Sequence, residues 1–163
     1  SVLVIFAGVG PYPIVIAKNS KASKVYSNEI NREANRYAEM NVELNKVKNK
    51  VTLLNGNIKD ITNKIKHGFI ARNEKIPQKF DIIVMPRPQL KETFLHEAFL
   101  LSKKGTKIFY YDFCKEEEIQ SIKDKIISEA RKAKKKVKIL KVKKAGEIAP
   151  YKFRIRIDFM VLN

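Results

Sequence analysis

Residues 5–11 read IFAGVGP, and they complete a β-branched run, Val2 to Ile5, with the composition of a buried strand. Two glycines one residue apart leave bare backbone at the end of that strand. Pro11 then sits in the first turn of a helix, where its missing N–H costs nothing. In a doubly wound α/β sheet, ligands bind beyond the carboxyl ends of the strands, where the strand order reverses. Strand, glycine turn and helix in that order predict such a sheet, with a ligand against Ala7-Gly8-Val9-Gly10. Gly8 is expected to supply backbone geometry closed to other residues, and Gly10 to clear the way for the ligand.

The pattern outward from this turn agrees. Short β-branched runs at Val2–Phe6, Lys24–Ser27, Val51–Leu54, Phe80–Met85 and Lys107–Tyr111 alternate with helical segments. Those helices are expected at Pro11–Lys18, Asn31–Leu44, Ile58–Ile65, Lys91–Leu101 and Lys115–Lys132, with Glu33, Arg36, Tyr37 and Met40 at helical spacing in the second. His67 to Lys79 reads as a surface loop, and Gly105 as the turn before the fifth strand. Phe80–Met85 is nearly all apolar and is expected to be buried on both faces. Lys136–Val142 and Phe153–Leu162 alternate as strands with only a loop between them, so they pair antiparallel. The expected fold is a doubly wound, Rossmann-like α/β sheet. It has five parallel strands, an antiparallel C-terminal hairpin and helices on both faces, in one domain over 1–163.

Composition sets the bounds. At 163 residues and 44% hydrophobic content the chain suits a globular domain, and no apolar run approaches the roughly twenty residues that cross a bilayer. No signal peptide is legible, so a cytoplasmic location and no membrane partner are expected. The single cysteine, Cys114, rules out an internal disulfide and reads as a small packed residue. A formal charge of +17 favours polyanion partners, although Lys-rich composition alone leaves nucleic-acid binding an even choice.

Two further residues stand at strand ends. Glu29, just beyond the second strand, is placed to accept hydrogen bonds from both hydroxyls of a ribose. Asn57 follows the third strand, where its amide either meets an adenine edge or belongs to ordinary turn chemistry in Asn55-Gly56-Asn57. A dinucleotide site needs a third glycine where this chain has Pro13, which counts against a dinucleotide oxidoreductase. Glycine turn, ribose carboxylate and adenine-edge residue describe an adenosyl site; with the antiparallel final hairpin they describe a class I methyltransferase fold whose cofactor is S-adenosylmethionine.

The ordered set narrows this. Phe6-Ala7-Gly8-Val9-Gly10-Pro11-Tyr12, Asn28-Glu29-Ile30-Asn31, Asn41 to Asn45, Asn55-Gly56-Asn57, Tyr110-Tyr111-Asp112-Phe113 and Ala149-Pro150-Tyr151 to Phe159 resemble, across essentially the whole chain, one family. It is that of the archaeal and eukaryotic tRNA methyltransferases that modify guanosine N1 beside the anticodon, related to the wybutosine-pathway enzymes. The resemblance implies tRNA as partner and cofactor contact at Phe6, Ala7, Gly8, Val9, Gly10, Glu29, Ile30, Asn57, Ile58 and Pro86. Three positions depart from the family: Val4 and Asn57 stand in place of aspartates, and Pro86-Arg87-Pro88 replaces an Asn-Leu-Pro loop.

Guanine N1 must lose a proton before it attacks a methyl sulfonium, so a general base and a donor for O6 are needed, and no metal is. Arg87 is the candidate base-facing donor, against a solvent-exposed alternative. Asp112 is expected to cap the following helix rather than catalyse. His67 and His96 pair with nothing that suggests a metal or a triad. The resemblance places the base and an arginine partner before the glycine strand, and additional tRNA-gripping domains there as well. The chain is therefore expected to be a C-terminal catalytic-domain fragment. Arg131 to Lys144 reads either as a solvated helix end and strand edge or as a phosphate-contacting patch. Two other functions remain: transfer of the cofactor's aminocarboxypropyl arm, and a non-catalytic RNA-binding module.

Overall fold

The opening run is β1 (Val2–Ile5), buried at every position. In the computed structural model, which describes residues 1–163, it belongs to a first unit, Ser1–Phe80, and the rest of the chain, Asp81–Asn163, forms a second. β1 pairs in parallel with β2 (Val25–Glu29), and β2 with β3 (Val51–Asn55), in the order β3-β2-β1. Parallel neighbours need crossovers, and α1 (Pro11–Asn19) and α2 (Arg32–Leu44) supply them, with α3 (Ile58–Lys66) following β3. Ile5 lies opposite Asn28 and Glu29 opposite Asn55, so the residues ending all three strands share one edge.

The caps explain the boundaries. Asn31 Oδ1 accepts from the amide of Ala34 at 3.0 Å and opens α2; Asn57 Oδ1 accepts from Lys59 at 3.0 Å and opens α3. The inward face of α2 is Asn35, Ala38 and Val42, which leaves Tyr37 and Met40 on the solvent side. The expected loop after α3 is instead a short hairpin of β4 (Ile70–Ala71) and β5 (Glu74–Lys75). Its turn is Arg72-Asn73, both at positive φ, the geometry that continues strand twist through a two-residue connection. Glu74 anchors it, accepting from Lys24 Nζ and Tyr26 Oη, each at 2.9 Å.

In the second unit the strand order is β6-β7-β9-β8, with β6 (Phe80–Met85) starting at the boundary, β7 (Ser102–Cys114), β8 (Val137–Ala149) and β9 (Lys152–Val161). Four expectations are corrected here. β6 is sealed at Phe80 and over Ile83 to Met85 but not between them, where Asp81 is exposed and pairs with Lys103 at 2.6 Å. The helix before β7 is only α4 (Leu95–Leu100). β7 begins at Ser102 and carries Gly105 within it. The loop expected at 143–152 is strand: β8 and β9 continue through register shifts and turn at Pro150–Tyr151, where Tyr151 takes φ 61°. A 3₁₀ turn, Glu116–Glu118, leads into α5 (Ile119–Lys132).

Alternation along β7 and β9 puts Ile108, Tyr110, Ile155, Ile157 and Phe159 on one face, all buried. Phe99 of α4 meets Phe159 there with ring centroids 6.0 Å apart. The class is the expected one: mixed α/β, mostly parallel, ending in an antiparallel pair of strands. No helix is long and apolar enough to cross a membrane.

Candidate functional site

β1 ends because Phe6 turns to φ 63°, and Ala7 then hydrogen-bonds back to Asn28 O at 2.9 Å. The following amide, Gly8 N–H, donates to Oε2 of Glu29 at 2.9 Å, while Oε1 accepts from Asn31 N–H at 2.8 Å. The carboxylate is thus turned toward the glycine turn and fixed by two backbone amides. A carboxylate offers about four acceptor positions, so two remain for a pair of vicinal hydroxyls.

The two glycines serve different ends. A Cβ built on Gly8 meets nothing within 4 Å, and its φ of +57° disfavours any side chain, so the turn keeps an open cradle there. Gly10 has the second positive φ of the turn, +88°. It is buried, donates its N–H to Ala7 O at 3.0 Å, and a Cβ there would lie 3.6 Å from both Ala38 Cβ and Ile14 Cδ1. Those are ordinary contact distances, so what asks for glycine at this position is its φ of +88°.

Asparagines hold the backbone of this edge. Asn28, buried on β2, donates to Leu54 O and Gly56 O at 2.8 and 2.9 Å, tying the ends of β2 and β3. Asn35 donates to Glu29 O at 2.9 Å, and Asn41 reaches from α2 to Val9 O at 3.0 Å. These roles escape a linear reading, since each side chain satisfies a carbonyl distant in sequence. The only trace was their density between residues 28 and 45.

The remaining expected cofactor residues divide. Ile30 is 62% exposed and Val9 44%, two apolar side chains beside the carboxylate and the glycine turn. Ala7 and Ile58 are buried and can offer a ligand only backbone, and Asn57 spends its Oδ1 on its helix cap. Phe6 is half-buried at the strand end.

Pro86 and Arg87 belong to the second unit. Pro86 is half-buried, and Arg87 is 1% exposed, so it does not face solvent. Its Nη1 donates to Asp112 Oδ1 at 2.7 Å, its Nη2 donates to the carbonyls of Leu90 and Glu92, and its Nε is buried without a partner. The loop 86–94 is wrapped around this one guanidinium. That is why α4 starts late: the carbonyls at 90 and 92 are bonded to Arg87 and not to a helix. Asp112 does not cap the helix after β7; it accepts from Arg87, from Tyr110 Oη at 3.1 Å and from Phe113 N–H at 2.8 Å. Burial pushes the Tyr110 hydroxyl above its ordinary value. A cleft of about 400 Å³ beside this network includes Thr93, Cys114 and Lys125 in its lining. No three His, Cys, Asp or Glu side chains are grouped to hold a metal. His67 is exposed and bonds Asn63 O through Nδ1 at 2.8 Å.

The family model described as the TRM5/TYW2 methyltransferase domain matches residues 1–142. Among curated relatives, the tRNA (guanine(37)-N(1))/4-demethylwyosine(37)-methyltransferase Taw22 of Nanoarchaeum equitans is 32% identical over 200 aligned positions, covering 99% of this chain and 66% of that protein. The tRNA (guanine(37)-N(1))-methyltransferase Trm5b of Pyrococcus abyssi is 34% identical over 157 residues, covering 96% of this chain and 42% of that one. The crystal structure of P. abyssi Trm5b superposes with TM-score 0.79 at 32% identity, covering 99% of this chain and 44% of the other. That of Methanocaldococcus jannaschii TYW2 in complex with AdoMet gives 0.78 at 26%, covering 99% and 68%. The chain therefore spans about two thirds of one curated relative and under half of the other.

Proposed function

Because the chain belongs to the TRM5/TYW2 methyltransferase domain family, we propose that it is the cofactor-binding part of an S-adenosylmethionine-dependent tRNA methyltransferase acting in the cytoplasm on N1 of the guanosine beside the anticodon, or on a wyosine-type derivative of it. The observation that carries this reading is the hydrogen bond from the bare Gly8 backbone to the Glu29 carboxylate.

The residues present fit such a cofactor. The space beside Gly8 admits its sugar edge against bare backbone, Glu29 has acceptor capacity for the two ribose hydroxyls, and exposed Ile30 offers an apolar surface for a ring. When bound, the cofactor supplies a methyl group on a sulfonium, an electrophile that needs no metal. The chain's own contribution is to fix that ligand through Gly8 and Glu29, and to fix the loop after β6 through Arg87. With Nη1 bonded to Asp112 and Nη2 to two carbonyls, Arg87 acts as a positioning residue for residues 86–94.

Incubation of the chain with unmodified tRNA and S-adenosylmethionine, followed by nucleoside mass analysis, tests the reaction. A methylated guanosine supports it. An aminocarboxypropyl adduct supports the second reading. Cofactor binding with no adduct of either kind assigns the chemistry to groups outside these residues.

A further inference from the structure

Arg154 is a cation with no anion. Its guanidinium carbon lies 4.8 Å from the centroid of the Tyr111 ring and 5.9 Å from that of Phe113, and its Nε is buried without a hydrogen-bond partner. It stands on the face of the second unit's sheet opposite Phe159, the face that α4 leaves open. The pairing registers define that face rung by rung. Lys107, Met160 and Lys138 form one rung; Phe109, Asp158 and Lys141 the next; Tyr111, Arg156 and Lys143 the third; Phe113 and Arg154 the last.

Charge on this ladder is one-sided. Asp158 is its one carboxylate, and Arg156 already neutralises it with two bonds of 2.7 and 2.8 Å while lying 5.3 Å from the Phe109 ring. Arg154 and four exposed lysines, 107, 138, 141 and 143, are left facing outward. The basic stretch at 131–144 is thereby sorted. Lys132 pairs with Glu129 at 2.7 Å and Lys135 bonds Asn163 O at 3.1 Å. Lys144 turns to the opposite face, where it pairs with Glu116 at 3.1 Å. Only Lys138, Lys141 and Lys143 join the ladder, and Lys107, Arg154 and Arg156 join them from elsewhere in the sequence.

We propose that this three-stranded face holds the phosphate backbone of the RNA substrate, without reading its sequence. The inference rests on the reading of the chain as a tRNA-modifying domain. A guanidinium stacked on rings is held flat and preorganised, and its fork matches a phosphate bidentately. Same-face residues recur about every 7 Å along a strand, so the lysines form rows rather than a point charge. The aromatic rings lie beneath the guanidinium groups, so they rigidify the cations and are not free to stack bases.

The test is the binding of an unmodified tRNA transcript by the chain across a salt series. Lys141→Gln/Lys143→Gln should lower the slope of log affinity against log salt by about 1.4 to 1.8, at roughly 0.7–0.9 per phosphate contact. Arg154→Lys should weaken binding several-fold with the slope kept, since the charge stays and the fork is lost. Lys21→Gln/Lys46→Gln, an equal charge loss off the ladder, should keep the slope, and all variants should bind S-adenosylhomocysteine as the parent does. If the parent binds tRNA and the ladder pair keeps its slope, the face belongs to a protein partner and the proposal fails while the RNA reading stands. A control pair that lowers the slope equally also overturns it. If the parent shows no salt-dependent tRNA binding, the ladder and the RNA reading fall together.

Discussion

The amide of Gly8 and the carboxylate of Glu29, twenty-one residues apart in the chain, meet at 2.9 Å across the ends of β1 and β2. A glutamate at the end of a strand is usually solvated. Here its orientation is set by Gly8 from one side and by Asn31 from the other. It is preorganised before any ligand arrives, so little rotamer entropy remains to be lost on binding.

The glycines can be told apart by substitution. Gly8→Ala should cost about 1 kcal/mol of stability from its left-handed backbone alone, because nothing surrounds the new Cβ, yet weaken cofactor binding about tenfold or more. Gly10→Ala meets Ala38 and Ile14 only at ordinary contact distance, so its φ of +88° carries the cost, a melting temperature lower by several degrees, with cofactor affinity within about threefold of the parent. Thermal melts and calorimetric titrations read both, and a reversed pattern would contradict the separate roles.

Arg87 and Asp112 form a largely buried pair, 1% and 15% exposed. Removing one partner strands the other, so Arg87→Met should destabilise by about 3 kcal/mol, at the lower end of the range for buried pairs. Arg87→Met/Asp112→Asn should cost less than the sum of the single changes. Additivity within about 0.5 kcal/mol in urea unfolding would show that the two side chains do not act as a unit.

Acid sensitivity should localise at Glu74. The hydrogen bond from Lys24, then Tyr26 and Thr52, holds its carboxyl below the ordinary value of 4.5. A depressed folded pKa gives stability that is present above the unfolded value and lost as pH falls through the folded one. Unfolding free energy should therefore decline on acidification below about pH 4.5, and Glu74→Gln should flatten that decline. An unchanged profile in the variant would assign the loss to other carboxylates.

Cys114 lies buried at the end of β7, and burial pushes its thiol up to about 11. At pH 8 about one molecule in a thousand carries the thiolate. Thiol reagents should leave the native protein unmodified and titrate one group only in denaturant; rapid native labelling would contradict this packing.

The parts legible in the sequence are those fixed by short-range pattern. β1 through β3, the glycine turn and Glu29 follow from β-branched runs and turn residues, and Asn31 announces its helix as a cap, whereas the cap at Asn57 shows only in the structure. What was hidden depends on contacts between distant residues. Arg72-Asn73 makes a left-handed turn without glycine, so the hairpin at 70–75 looked like loop. Residues 91–94 have helical composition, but Arg87 takes the carbonyls at 90 and 92. Register shifts keep β8 paired through Gly146, where polar residues suggested a loop. Gly10 lies buried against Ala38 and Ile14, contacts that a linear reading of the motif does not show.

Calorimetric titration with S-adenosylhomocysteine, run on the parent and on Glu29→Ala, tests the cofactor cradle most directly. The parent should bind, and the variant should lose about tenfold to a hundredfold in affinity, the worth of one or two hydrogen bonds to a charged acceptor. A parent that gives no binding, or a variant that binds equally well, would contradict it.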